Sequence, residues 1–125
     1  KAVANGLSKM MFFDAYQIYR IDADEKFLVP IFSYDSYQKN EMVSNEKIAA
    51  NKGITGEIFR TGKALLVDNV VEHPKVYYLP GEKKIDESLI GTPLVVDDQI
   101  IGVIILVKKG VGQFQQDQLQ MLSLI

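Results

Sequence analysis

The sequence contains no cysteine. That excludes disulfides, thiolate metal sites, a cysteine nucleophile and any cofactor attached through a thioether. Histidine occurs once, at His73. A lone imidazole cannot build most zinc sites or a histidine-based triad. Long apolar runs are also missing. The longest, Ile100 to Val107, falls far short of the roughly 20 residues that a membrane-crossing helix needs. No signal segment is visible, so neither direct membrane insertion nor export is expected. Neither sign of charge dominates, with 14 Lys and Arg against 16 Asp and Glu and a net charge of −2. That balance offers no electrostatic handle for nucleic acid or an anionic membrane.

What is present suits a globular domain: 125 residues, 47% hydrophobic and 24% charged. One domain of this size buries a core without staples, and residues 1–125 leave no room for a second. The chain begins at Lys1 in one helical pattern and stops at Ile125 in another. It therefore reads as a single domain excised from a longer multidomain protein.

Apolar spacing orders the elements. Val3, Leu7, Met10 and Met11 form one helical stripe. Asp14 to Asp22 reads as a strand, Ala23 to Lys26 as a turn and Phe27 to Tyr34 as a second strand. Pro30 inside that strand argues for an edge or a bulge, because proline cannot donate to the ladder. Asp35 to Ala50 is polar, lacks a turn glycine, and is open between loop and short helix. Ile54, Ile58 and Phe59 share a helical face, and Gly62 stands where a left-handed cap belongs. Ala64 to Val70 is a short strand, and Val71 to Glu87 a long connection. Ser88 to Val96 and Ile100 to Lys108 flank Asp97-Asp98, a tight hairpin signal. The second of these strands is apolar at successive positions, so it must be covered on both faces. After Gly110 and Gly112, Phe114 opens a last helix with Leu119, Leu122 and Ile125 inward. Strands outnumber helices and the late pair is a hairpin. The expected class is α+β with an antiparallel sheet.

Few motifs suggest chemistry. Gly56 to Lys63 loosely resembles a phosphate loop, but five residues separate its glycines and Ala64 follows the lysine. A short helix capped by Gly62 explains it better. His73 precedes Pro74, which holds it extended in a loop. Asp22, Asp24, Glu25, Asp86, Glu87, Asp97 and Asp98 match no calcium-loop spacing and read as solvated turn carboxylates. Lys83-Lys84 and Lys108-Lys109 are isolated pairs. Tyr77-Tyr78 is different, since two tyrosines in a long connection either pack beneath it or line a cavity. No nucleophilic, acid–base or metal constellation is present, so the domain is not expected to be an enzyme.

From Gly53 to Ile125 the sequence resembles a GAF domain. The carrying residues are Gly53-Ile-Thr-Gly56, Thr61-Gly62-Lys63-Ala64, Leu66-Val67-Asp68 and His73-Pro74. They continue in Ser88-Leu89-Ile90-Gly91-Thr92-Pro93-Leu94, Gln99-Ile100-Ile101-Gly102-Val103-Ile104 and Phe114-Gln-Gln-Asp117. The stretch from Leu79-Pro80-Gly81 to Ser88 further resembles GAF domains of bacterial signalling proteins, attached to diguanylate cyclases, phosphodiesterases, histidine kinases or phosphatases. The resemblance implies an antiparallel sheet of about six strands. Terminal helices would cover one face, and short helices with the long loop would roof a small-molecule pocket on the other. Bilin-binding members attach their chromophore to a cysteine, which excludes a covalent bilin here. GAF-type methionine sulfoxide reductases also need cysteines. Cyclic-nucleotide-binding members carry an Asn-Lys pair, a Phe and a later Asp-Glu. Here Lys108-Lys109, Phe114 and Asp117-Gln118 stand instead, so a cyclic nucleotide is not expected.

The resulting expectation is a cytoplasmic sensory module that relays the state of an unidentified ligand to an output domain in the same parent chain, paired as a homodimer through its terminal helices. Ile54, Phe59, Tyr77, Tyr78, Ile85 and Leu89 would build the roof, with Ser88 and Thr92 offering hydroxyls from the sheet. The alternative is a ligand-free dimerisation and relay module whose tyrosines fill the cavity.

Overall fold

The computed structural model describes residues 12–36, 46–78 and 84–124, and the backbone alone at 40–42. The helix expected around Val3 to Met11 lies outside the described residues. Within them the order is β1 (Ala15–Ile21), β2 (Phe27–Asp35), β3 (Asn40–Met42), β4 (Ile48–Ala49), α1 (Gly53–Thr61), β5 (Leu65–Val67), a 3-10 turn (Val70–Glu72), β6 (Glu87–Val96), β7 (Gln99–Lys109) and α2 (Gln116–Leu122). Every strand pair is antiparallel. The sheet runs β3-β2-β1-β7-β6-β5, and β4 adds a second short partner to β2. This is the expected α+β architecture. The open stretch from Asp35 to Ala50 supplies β3 and β4, too short to leave a periodic signature.

The central strand β7 is buried on both sides. Ile104 and Leu106 pack with Tyr16, Ile18 and Ile90 against Phe114, Leu119 and Leu122. Val103 and Ile105 pack with Tyr19, Leu28 and Leu89 against Ala50, Ile54, Ile58 and Val70. Successive side chains of a strand point to opposite faces, so a run of adjacent apolar residues needs two covers. α2 supplies one. Its capping box joins Gln115 and Gln118, with the Gln115 N–H donating to Gln118 Oε1 at 2.7 Å. Phe114, just before the cap, and Leu119 enter the same core cluster, as in a hydrophobic staple. α1 supplies the other cover. Ile54 and Ile58 sit one turn apart on its buried face, and Gly62 ends it at φ 67°, donating its N–H to Ile58 O.

Two turns explain two acidic groups. Asp97 and Asp98 both have positive φ, 50° and 64°, as a two-residue hairpin loop of primed type requires. The Asp22 carboxylate accepts the N–H groups of Lys26 (2.9 Å) and Phe27 (3.2 Å) and so closes the β1–β2 turn. Desolvation pushes its pKa up. The N–H groups of Phe27, Lys26 and Glu25 and the charge of Lys47 outweigh that and hold it below the ordinary carboxylate value.

Pro30 sits at a β-bulge, because Ile18 pairs with Phe32 while Tyr19 pairs with Pro30, leaving Ile31 extra. Among the described residues neither neighbour pairs with it on the outer side, since β4 meets residues 27–28 and β3 meets residues 33–35. Of the edge or bulge expected for this proline, the bulge is what the register shows. The bulge inverts the parity of β2. Leu28 faces the α1 side, whereas Tyr34 faces the α2 side, stacked on Tyr16 with ring centroids 5.9 Å apart.

Two outcomes test this packing. A Cβ at Gly102 would lie 2.0 Å from the Tyr19 carbonyl oxygen, a backbone atom that cannot retreat without breaking the β1–β7 ladder. Gly102→Ala should cost about 3 kcal/mol or more in denaturant unfolding. The Asp22 contribution, with its folded pKa below the unfolded one, is complete above the unfolded value and is lost as pH falls through the folded one. The stability gap between the wild type and Asp22→Asn should therefore shrink as pH drops from about 7 to about 3 in urea titrations.

Candidate functional site

α1 packs over β6 and β7 and leaves a cleft of about 550 Å³ on the same face of the sheet. Its floor takes Gln17 and Tyr19 from β1, Ser33 and Asp35 from β2, Leu89 from β6, and Ile105 and Val107 from β7. The parity inversion at Ile31 brings Ser33 and Asp35 to this face, in register with Gln17 and Ala15. The start of α1 (Lys52, Ile54, Thr55) forms one wall, with Glu46 and Ile48 beside it. Val70, Val76, Tyr77 and Tyr78 form the roof. Gly91 lets the helix settle this low, since a Cβ there would meet Ile58 Cδ1 at 2.6 Å and Ile105 Cδ1 at 2.7 Å.

Polar groups in the cleft are unevenly satisfied. The Tyr19 hydroxyl donates to Gln17 Oε1. Ser33 Oγ and the Tyr78 hydroxyl are buried and have no hydrogen-bond partner among the described residues. The Lys52 ammonium lies 5.6 Å from the Tyr77 ring centroid, and that of Lys84 lies 5.5 Å from the Tyr78 ring, both within cation–π range. Among the described residues no group of three or more His, Asp or Glu side chains could hold a metal. No helix there is long and apolar enough to cross a membrane.

The model of the GAF domain family matches residues 2–125. The chain belongs to the GAF family. Solved structures share the fold at low identity. The GAF domain from the Acinetobacter phosphoenolpyruvate-protein phosphotransferase is 20% identical with a TM-score of 0.77, over 96% of this chain and 70% of that one. The GAF domain of the Coxiella burnetii phosphoenolpyruvate-protein phosphotransferase is 16% identical with a TM-score of 0.81, over 99% and 73%. The free methionine-R-sulfoxide reductase from Neisseria meningitidis, solved with its substrate, is 20% identical with a TM-score of 0.73, over 97% and 67%. At these identities the likeness shows the fold alone. Because enzymes share that fold, the fold by itself does not decide between sensing and catalysis. No curated protein matches the sequence.

Four of the expected pocket residues come together in the GAF cleft: Ile54, Tyr77, Tyr78 and Leu89. Four do not. Phe59 flanks the buried stripe of α1 and lines a shallow groove with Ala50 and Arg60 instead. Ile85 is 37% exposed and outside the cleft. Ser88 and Thr92 point to the opposite face, because they alternate with Leu89 along β6. Ser88 Oγ lies 2.7 Å from the Gly110 carbonyl and 3.1 Å from that of Asp68, and accepts the Gln113 N–H at 2.9 Å. Thr92 meets the Ser123 hydroxyl at 3.3 Å. Sequence reasoning missed Gln17, Ser33, Asp35, Glu46 and Lys52. His73 behaves as a loop residue, its Nδ1 accepting the Lys75 N–H at 3.1 Å. The phosphate-loop-like segment is helical: Gly56 lies inside α1 and Gly62 caps its end.

These placements separate structural from cleft residues. Ser88→Ala leaves the Gln113 N–H without its acceptor and should cost about 2 kcal/mol. Tyr77→Ala removes a ring that is 47% exposed and should cost less than about 1 kcal/mol. Thermal and urea unfolding of the two variants checks the order.

Proposed function

We propose that this GAF domain is a small-molecule-sensing regulatory module of a signal-transduction protein, not an enzyme. The observation that carries the reading is the cleft with its two buried, unpartnered hydroxyls, Ser33 Oγ and Tyr78 OH. A buried hydroxyl without a partner costs on the order of 1–3 kcal/mol, and a ligand that supplies one recovers that cost. Tyr77 is half exposed above the cleft rather than packed into it, which weighs against a side-chain-filled cavity. The reductases' chemistry needs cysteine, which this chain lacks, and no catalytic set stands among the cleft residues.

A junction at Ser88 supports relay toward the C-terminal helix. It ties Asp68, where the strand ahead of the roof ends, to Gly110 and Gln113, which lead from β7 into α2. The Gly112 N–H donates to Asp68 O at 2.9 Å beside it. A ligand that prefers one roof position would shift the segment leading into α2, and only such differential affinity moves an equilibrium. The output domain in the parent chain, homodimerisation through the terminal helices and a cytoplasmic, bacterial setting belong to this reading. The exposed Met121 and Leu124 near the C-terminal end favour pairing, which also suits the alternative of a ligand-free dimerisation and relay module.

Native mass spectrometry of the purified domain, followed by denaturation, separates the two. The sensor reading expects a mass excess that denaturation removes and that Tyr78→Phe reduces. A bare dimer would favour the ligand-free module.

A further inference from the structure

Residues 12–14, which enter β1, and the segment that leads from β7 into α2 are joined by three contacts of different kinds. The first is a hydrogen bond to a carboxylate, with the Lys109 N–H donating to Asp14 Oδ2 at 2.7 Å. The Asp14 N–H donates in turn to Val107 O at 2.8 Å, so Asp14 holds β7 on both sides of Lys108. The second contact is apolar. Phe13 and Phe114 are both buried and belong to one core cluster. The third is Lys108 itself. Its ammonium lies 5.2 Å from the Phe12 ring centroid and 5.3 Å from that of Phe114, and donates to Gln113 O at 3.4 Å. One cation thus stands between a ring ahead of β1 and the ring that opens α2. Gln113 is also the residue whose N–H Ser88 accepts, and Ser88 Oγ meets the Asp68 carbonyl, where β5 gives way to the roof. Chain entry, chain exit and roof therefore share one knot at a single end of the sheet.

We propose that this knot makes residues 12–14 and the start of α2 one mechanical unit, with Asp14 and Lys108 as its positioning residues. A displacement of the chain ahead of β1 then reaches α2 without passing through the cleft. The coupling holds with the cleft empty or filled, so it goes beyond the sensor reading and stands if that reading falls. Coupling of this kind travels through contiguous contacts, and breaking one of them is felt on the far side.

The test is amide hydrogen exchange, read by NMR, on the domain and on Asp14→Ala, Lys108→Met and Lys108→Arg. Leu119 and Ser123, whose N–H groups donate to Gln115 O and Leu119 O, report on α2. Gly62, whose N–H donates to Ile58 O at the end of α1, reports on overall stability. Asp14→Ala should speed exchange at Leu119 and Ser123 about tenfold. Lys108→Met, which keeps a long apolar stem, should speed it about threefold. Lys108→Arg should stay near the wild type, because a guanidinium keeps a cation between the two rings. Gly62 should change less than about twofold in every variant. Faster exchange confined to residues 12–14 and 107–109, with α2 unchanged, would overturn the coupling. Equal acceleration at Gly62 would overturn it too, since both residues would then serve stability alone. Lys108→Arg matching Lys108→Met would overturn the role given to the cation.

Discussion

A single strand that must be hidden on both sides governs this structure. Four consecutive residues of β7, Val103 to Leu106, are at most 3% exposed. A strand of that kind cannot stand at an edge, and β1 and β6 flank it here. Each of its faces then needs its own cover, which divides the remaining apolar residues into two clusters. Residues that come early in the chain, such as Tyr16 and Tyr19, have to serve both. The β1 backbone comes so near at Gly102 that no side chain fits between. The two covers differ in kind. α2 lies over a closed aromatic and aliphatic core. α1 covers only the β6–β7 part of its face, and that incomplete cover is what creates a cleft.

The two layers are not independent, because Ser88 joins their connecting segments. Its side chain lies on the α2 face, yet its partners belong to the segments that leave β5 and β7. The segment after β5 becomes the roof of the cleft within a few residues. The cover of one face and the start of the helix on the other thus share a hydrogen-bonded joint. Such a joint is the kind of contact that can favour one arrangement of both layers at a time.

Much of the fold was legible because its signals are local. Gly62 as a left-handed cap, Asp97-Asp98 as a tight hairpin and Pro30 as a bulge each follow from backbone geometry that few residues tolerate. The apolar run in β7 announces a sandwiched sheet on its own. The cleft was only half legible. Ile54 and Leu89 follow from periodicity, and Tyr77 and Tyr78 from the expense of wet aromatics. Leu89, expected in the roof, belongs to the floor, and Ser88 and Thr92, expected to offer hydroxyls to the cleft, alternate with it and face the other way. Phe59 follows Ile58 by one position, which turns it about 100° away from the stripe facing the sheet. Ser33 and Asp35 could not be read, since their facing depends on which residue of β2 is the extra one. Glu46 lies in a stretch whose strands are too short to carry a pattern.

That extra residue divides β2 into two reading frames. Before Ile31 the even positions belong to the α1 side, and after it the odd positions do. The composition of the cleft on its β2 side therefore depends on register as well as on identities. Drawing Ile31 into the ladder opposite Ile18 would set Ser33 opposite Tyr16 and Tyr34 opposite Ala15, and so swap a core ring for a cleft hydroxyl with every amino acid unchanged. In β2, register itself is a determinant of what the cleft can hold.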